Sequence, residues 1–244
     1  MLDLLKEQVT IKTDGLFLVV LGPSGAGKSH FMGTHPGKTL FLYGKGESHG
    51  PASAVKNNPD IISVAWDRDG SGATVPPDKI LPRIKEILSK DTLEAAKIEC
   101  ICLDSLTMLA NDFKQTAWFK QRCASANGKH NSFKEGEALI ELLGGVITEL
   151  YNRSEQDGID VICSMDLQIN SIGSDGTILE SKPGLPTFGV GKALVQQFPD
   201  VLVLGRIAGQ PKFQCKAKVA SKSTDRETME VVKYLEYNPR LRGV

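Results

Sequence analysis

The sequence predicts an α/β domain: a mainly parallel sheet flanked by helices, with a C-terminal antiparallel hairpin extension. Apolar runs rich in β-branched residues recur along the chain, helical patterns separate them, and the last third shifts to alternation. Strands are expected at residues 16–21, 39–43, 61–65, 98–103, 159–164 and 201–207. Between them, residues 77–90 begin with a proline and place Ile80, Leu81, Ile84, Ile87 and Leu88 at helical spacing; 105–122 and 135–154 continue the pattern. Residues 212–220 and 228–237 alternate as antiparallel strands do, which makes them a hairpin at the sheet's edge. Two segments have no sustained period. Residues 122–134, and residues 166–189 with Gly173, Gly176, Pro183, Gly184 and Pro186, both read as mobile loops, and the second is too long for a mere connector.

Bulk properties set the outer limits. At 244 residues, 41% hydrophobic and 24% charged, the chain can bury a substantial core, and residues 1–244 read as a single domain rather than a mostly disordered chain. Lys+Arg and Asp+Glu stand at 29 each, so no global field draws the protein to nucleic acid or membrane. Residues 201–224 depart from that balance, with Arg206, Lys212, Lys216, Lys218 and Lys222 and no acid. No run approaches the roughly 20 apolar residues of a bilayer-spanning helix, and the first residues, Met-Leu-Asp-Leu-Leu-Lys-Glu, carry acid where a signal peptide is basic, so a cytoplasmic location without membrane contact is expected. Cys100, Cys102 and Cys163 lie inside apolar runs with no metal-ligand spacing and read as buried free thiols. Trp66 and Trp118 read as core packing.

The most specific signal follows the first strand. Gly22-Pro23-Ser24-Gly25-Ala26-Gly27-Lys28-Ser29 has the spacing of a P-loop, whose glycines let the backbone turn successive N–H groups toward phosphate oxygens. Gly22 through His30 are thus the candidate nucleotide-binding segment: Lys28 neutralises the outer phosphates of ATP and Ser29 ligates Mg2+. A second feature agrees with it. The run at 98–103 ends in Asp104, a carboxylate able to hold magnesium opposite the loop or, alternatively, to cap the following helix. His30 and His35 have no partner spacing for a metal or a catalytic dyad.

These residues resemble the RecA-like branch of P-loop ATPases, and more closely the small phage and prokaryotic RecA/RAD-type ATPases that include single-strand-annealing recombinases. Beside the P-loop, Leu103-Asp104-Ser105-Leu106-Thr107 looks like the family's Asp-Ser-Leu/Ile-Thr run. Glu47, just beyond residues 39–43, lies where the family has the glutamate that orients water for attack on the γ-phosphate; a solvated glutamate in a polar loop is the alternative. The segment 218–226 is similar to the one that supplies Lys and Arg fingers across a subunit boundary, which makes Lys222 and Arg226 the candidates. The chain departs from the family at the end of strand 159–164, where a polar Gln or His senses the γ-phosphate; here Asp166 or Gln168 is the available substitute.

The resemblance also implies partners. The two irregular segments match the places of the family's DNA-binding loops, so Arg122, Lys129, Lys134 and Lys182 are candidate phosphate contacts and Phe133 a candidate stacking residue, with His130 and Phe188 beside them. Phe133 and Phe188 could equally anchor their loops in the core. The expected protein is a weak Mg-ATP hydrolase acting in DNA recombination or single-strand annealing, self-associated into a ring or filament on single-stranded DNA, with a single-strand-binding protein as a further partner. The alternative is a regulatory or helicase-loading ATPase whose output is a protein contact.

Overall fold

The computed structural model describes residues 15–47, 49–125, 131–172, 178–185, 190–206 and 213–219. Eight strands occur among them: β1 (Phe17–Gly22), β2 (Thr39–Tyr43), β3 (Ile61–Ala65), β4 (Cys100–Asp104), β5 (Asp160–Ile172), β6 (Ile178–Pro183), β7 (Asp200–Arg206) and β8 (Phe213–Val219). The helices are α1 (Lys28–Met32), α2 (His49–Asn57), α3 (Pro77–Ile87), α4 (Lys90–Ala96), α5 (Leu106–Phe113), α6 (Ala117–Cys123), α7 (Ser132–Asp157) and α8 (Val190–Val195). The strand order is β3-β2-β4-β5-β1-β7-β8, with β6 paired to β5 alone. From β3 to β7 every pairing is parallel, so six strands form a parallel sheet of the kind the sequence predicts.

Burial explains why β1, β2 and β4 read as unbroken apolar runs. A strand turns successive side chains to opposite faces, and here both faces are covered. Phe17, Val19 and Leu21 of β1 join Leu40, Leu42, Ile101, Leu103, Val161 and Cys163 in one core, to which α3 to α8 contribute. Leu18 and Val20 join Phe41, Cys100, Cys102 and Ile162 in a second core on the other face, with Phe31 and Met32 of α1 and Ala54 of α2. The α1–α2 face is tightly closed: a Cβ on Gly33 would lie 2.6 Å from Ala54 Cα.

Several expected elements differ. The helix expected at 105–122 is two helices, because Thr116 leaves helical geometry at ψ 147° and its side chain caps α6 by accepting from Phe119 N at 3.1 Å. The first helix after β1 spans only Lys28–Met32, and α2 and α4 occupy segments where no helix is expected. Helix α7 is longer than 135–154, held between an Asn131 side-chain cap and Gly158 at φ 69°. Its first turn thereby takes Phe133 and Lys134 out of the expected 122–134 loop, while Arg122 lies in the last turn of α6.

The largest difference is the 166–189 segment. β5 continues six residues beyond the parallel sheet, and Leu167–Ile172 pair antiparallel with β6, so much of the expected loop is a two-stranded arm rising from the sheet's carboxyl end. Its polar, glycine-punctuated sequence hides the strands because their partner is each other. At one margin of the sheet, β8 runs antiparallel to β7, Asp200 facing Val219. The other strand expected there, 228–237, lies outside the described residues.

Candidate functional site

The carboxyl ends of β1, β4 and β5 converge on the 22–29 loop. Gly25 (φ 76°) and Gly27 (φ 89°) both take left-handed backbone, which a side chain would strain. No atom lies within 4 Å of a Cβ built on Gly25, so the loop's mouth is open there. Ala26 is buried against the α1–α2 core and ties the loop to the sheet. Lys28 is 8% exposed, and its ammonium folds back over the loop, donating to Gly22 O at 2.9 Å and Pro23 O at 3.1 Å. His30 is exposed on α1. The predicted segment thus forms one concave backbone turn with a cation held inside it.

Ser29 and Asp104 meet across the sheet. Ser29 Oγ donates to Asp104 Oδ2 at 2.5 Å, and Ser164 Oγ donates to Asp104 Oδ1. Asp104 is 3% exposed; burial pushes its carboxyl above the usual carboxylate range, while the bonds from Ser164 and Ser29 and the nearby Lys28 ammonium pull the other way. The cap of α5 is Ser105, whose side chain accepts from Met108 N at 3.1 Å, so the structure assigns the capping role to Ser105 and leaves Asp104 facing the loop. Helix α2 closes over this pair: a Cβ on Gly50 would come within 2.6 Å of Asp104 Oδ2 and 2.8 Å of Ser29 Oγ. Only glycine fits that approach.

Asp166, one of the two substitutes expected at the end of β5, reaches the loop directly. It stands opposite Gly22 in the β1–β5 register, and its Oδ1 accepts from Lys28 Nζ at 2.9 Å. Its backbone N–H donates to Thr107 Oγ1 at 3.0 Å, so the Asp-Ser-Leu-Thr run supplies both Asp104 and the group that anchors Asp166. Ser164 is the residue that sequence reasoning misses: a serine ending an apolar strand carries no signal until the neighbouring strand's Asp104 is placed beside it.

The remaining candidates are scattered. Glu47 ends a single 3-10 turn, Lys45–Glu47, after β2, at the same edge of the sheet as Asp104. Arg122 is exposed on α6, and Phe133 is 76% exposed at the start of α7, which excludes the core-anchor alternative for it. Lys134 is half-buried and donates to Ala124 O at 3.3 Å, a bond that uses one of its ammonium's three donors. Trp118, expected in the core, is 39% exposed, whereas Trp66 is buried with its indole donating to Asp112 at 2.6 Å. Lys182 lies on β6 of the arm. Lys129, His130, Phe188, Lys222 and Arg226 lie outside the described residues.

Cys100, Cys102, Cys123 and Cys163 are free and buried, and burial raises the thiols of Cys102 and Cys163 far above their ordinary range. Among the described residues no group of three or more His, Cys, Asp or Glu could hold a metal ion, and no helix is long and apolar enough to cross a membrane. No protein-family model matches the chain, and no curated protein does.

Proposed function

We propose that the chain is a RecA-like P-loop ATPase that binds Mg-ATP at the 22–29 loop, hydrolyses it, and acts in DNA recombination or single-strand annealing by assembling on single-stranded DNA. One observation carries the reading: the Lys28 ammonium sits inside the mouth of a glycine turn, beside a Ser29–Asp104 pair joining the turn to the end of another strand. Two left-handed glycines with open space at Gly25 are what close approach of an anion to backbone N–H groups requires.

The donor set also fits magnesium, which accepts one hydroxyl and one carboxylate when water and phosphate oxygens complete its shell. Ser29 and Asp104 would hold it, and the ion supplies positive charge against the phosphates when bound. Asp104 is a buried carboxylate whose donors among the described residues are neutral hydroxyls, so a cation there offsets its desolvation. Lys28 would orient the outer phosphates, and Glu47 would accept a proton from the attacking water or orient it. Arg122, Phe133 and the arm carrying Lys182 offer contacts to a nucleic-acid strand, and Lys222 or Arg226 of a neighbouring subunit would complete the charge around the transferred group.

The test is ATP binding with and without magnesium, followed by ATPase rate with and without single-stranded DNA at low and moderate salt. Mg-dependent binding, DNA-stimulated turnover and salt-sensitive DNA binding are expected. Turnover indifferent to DNA, with no DNA binding at low salt, removes the recombination reading in favour of a regulatory or helicase-loading ATPase. Folded protein with no affinity for ATP in magnesium ends both.

A further inference from the structure

We infer that Asp166 is a built-in counter-anion that competes with the nucleotide for Lys28, so that its carboxylate limits the affinity of the site and heightens its need for a divalent cation. The inference rests on reading the 22–29 loop as a phosphate cradle. Among the described residues three acceptors surround the Lys28 ammonium: Gly22 O at 2.9 Å, Pro23 O at 3.1 Å and Asp166 Oδ1 at 2.9 Å. An ammonium has three donors, so none is left over for a further anion. Of the three acceptors only Asp166 is a charged side chain, and that side chain is 40% exposed against 9% for the side chain of Lys28. It is therefore the solvent-accessible member of the pair, and an anion that reaches the ammonium must contend with its charge.

The carboxylate has little room to retreat. Asp166 N–H is bonded to Thr107 Oγ1, its carbonyl accepts from Gly184 N at 2.7 Å, and its Cα is in register with Gly22. Rotation of the side chain can release Lys28, but the negative charge stays beside the loop. The linked side chains Lys28, Asp166 and Asp104 then present one positive and two negative charges to an incoming polyphosphate. Like charges at this range oppose binding, and a divalent cation held by Ser29 and Asp104 offsets them. A neutral polar residue at the end of β5 would leave the same geometry without the repulsion.

The experiment is a calorimetric titration of ATP, in magnesium and again in EDTA, into wild-type protein and the Asp166→Asn, Asp166→Ser, Asp166→Glu and Lys28→Ala variants, with the melting temperature of each recorded. Asp166→Asn should tighten Mg-ATP binding about tenfold, equivalent to about 1.4 kcal/mol, and lose less affinity than wild type when magnesium is removed. Asp166→Ser removes the same charge by another route and should behave alike, while Asp166→Glu keeps wild-type affinity. A merely structural role predicts weaker binding from all three. Folded Asn and Ser variants that bind ATP no more tightly than wild type overturn the inference and leave the cradle reading standing. If neither wild type nor these variants bind ATP in magnesium while Lys28→Ala is equally inert, the cradle reading fails and this inference with it.

Discussion

Asp104 sits at 3% exposure between two serine hydroxyls, and that placement ties stability to function with opposite signs. Its folded pKa is raised above the ordinary 3.8, so the folded chain binds the proton of this carboxyl more tightly than the unfolded one. The stability that this preference confers is complete below the unfolded pKa and is lost as pH rises through the folded value. Asp104→Asn should accordingly raise the melting temperature of nucleotide-free protein at neutral pH, and the gain should shrink as pH falls through the raised folded pKa and wild-type Asp104 takes up its proton. The same variant should lose the magnesium-dependent part of ATP binding. Thermal melts across pH beside a magnesium titration test both halves. Glu47→Gln probes a different step: it should keep Mg-ATP affinity within about twofold while slowing turnover by about 100-fold or more, the range of general acid–base catalysis. Unchanged turnover would make Glu47 a bystander.

At the scale of elements, two approaches shape the site. Helix α2 packs so closely over Ser29 and Asp104 that Gly50 admits no side chain. Alanine is the better helix former by about 1 kcal/mol, yet Gly50→Ala should weaken Mg-ATP binding, because the added methyl must displace Asp104 Oδ2, which Ser29 holds while Ser164 fixes Oδ1. An affinity equal to wild type by titration would mean that α2 yields at no cost. At the start of α7, Phe133 is 76% exposed, so Phe133→Ala should leave the melting temperature nearly unchanged. If it stacks on a base, the same change should weaken single-stranded DNA binding by about 1–3 kcal/mol. Anisotropy with a labelled oligonucleotide reads that loss.

For the whole molecule, the six-stranded parallel sheet brings the ends of β1, β4 and β5 together although they lie far apart in sequence. The site they form contains Lys28 as its own cation, and the proposed completion comes from Lys222 or Arg226 of a neighbour. A mixture of Arg226→Ala and Lys28→Ala subunits should then recover part of the ATPase rate that neither has alone, because some boundaries pair an intact loop with an intact arginine. A mixture that stays inactive while it assembles counts against Arg226 acting across a boundary.

What was legible in the sequence was whatever local chemistry dictates. Strands covered on both faces must be apolar at every position, so the parallel strands announce themselves in β1, β2 and β4. The glycine spacing of the 22–29 loop is equally local, because its two left-handed positions tolerate little else. The break at Thr116 is not legible there: the 105–122 pattern looks like one helix, and only the structure shows the threonine capping a second one. Tertiary structure decided the rest. The arm of β5 and β6 forms by pairing two weakly patterned segments, which no single window displays. Ser164 and Asp166 acquire their roles only because β5 lies between β4 and β1, setting one against Asp104 and the other against Lys28. A residue's type states which bonds it can make, whereas the order of strands in the sheet determines which partner stands close enough to make them.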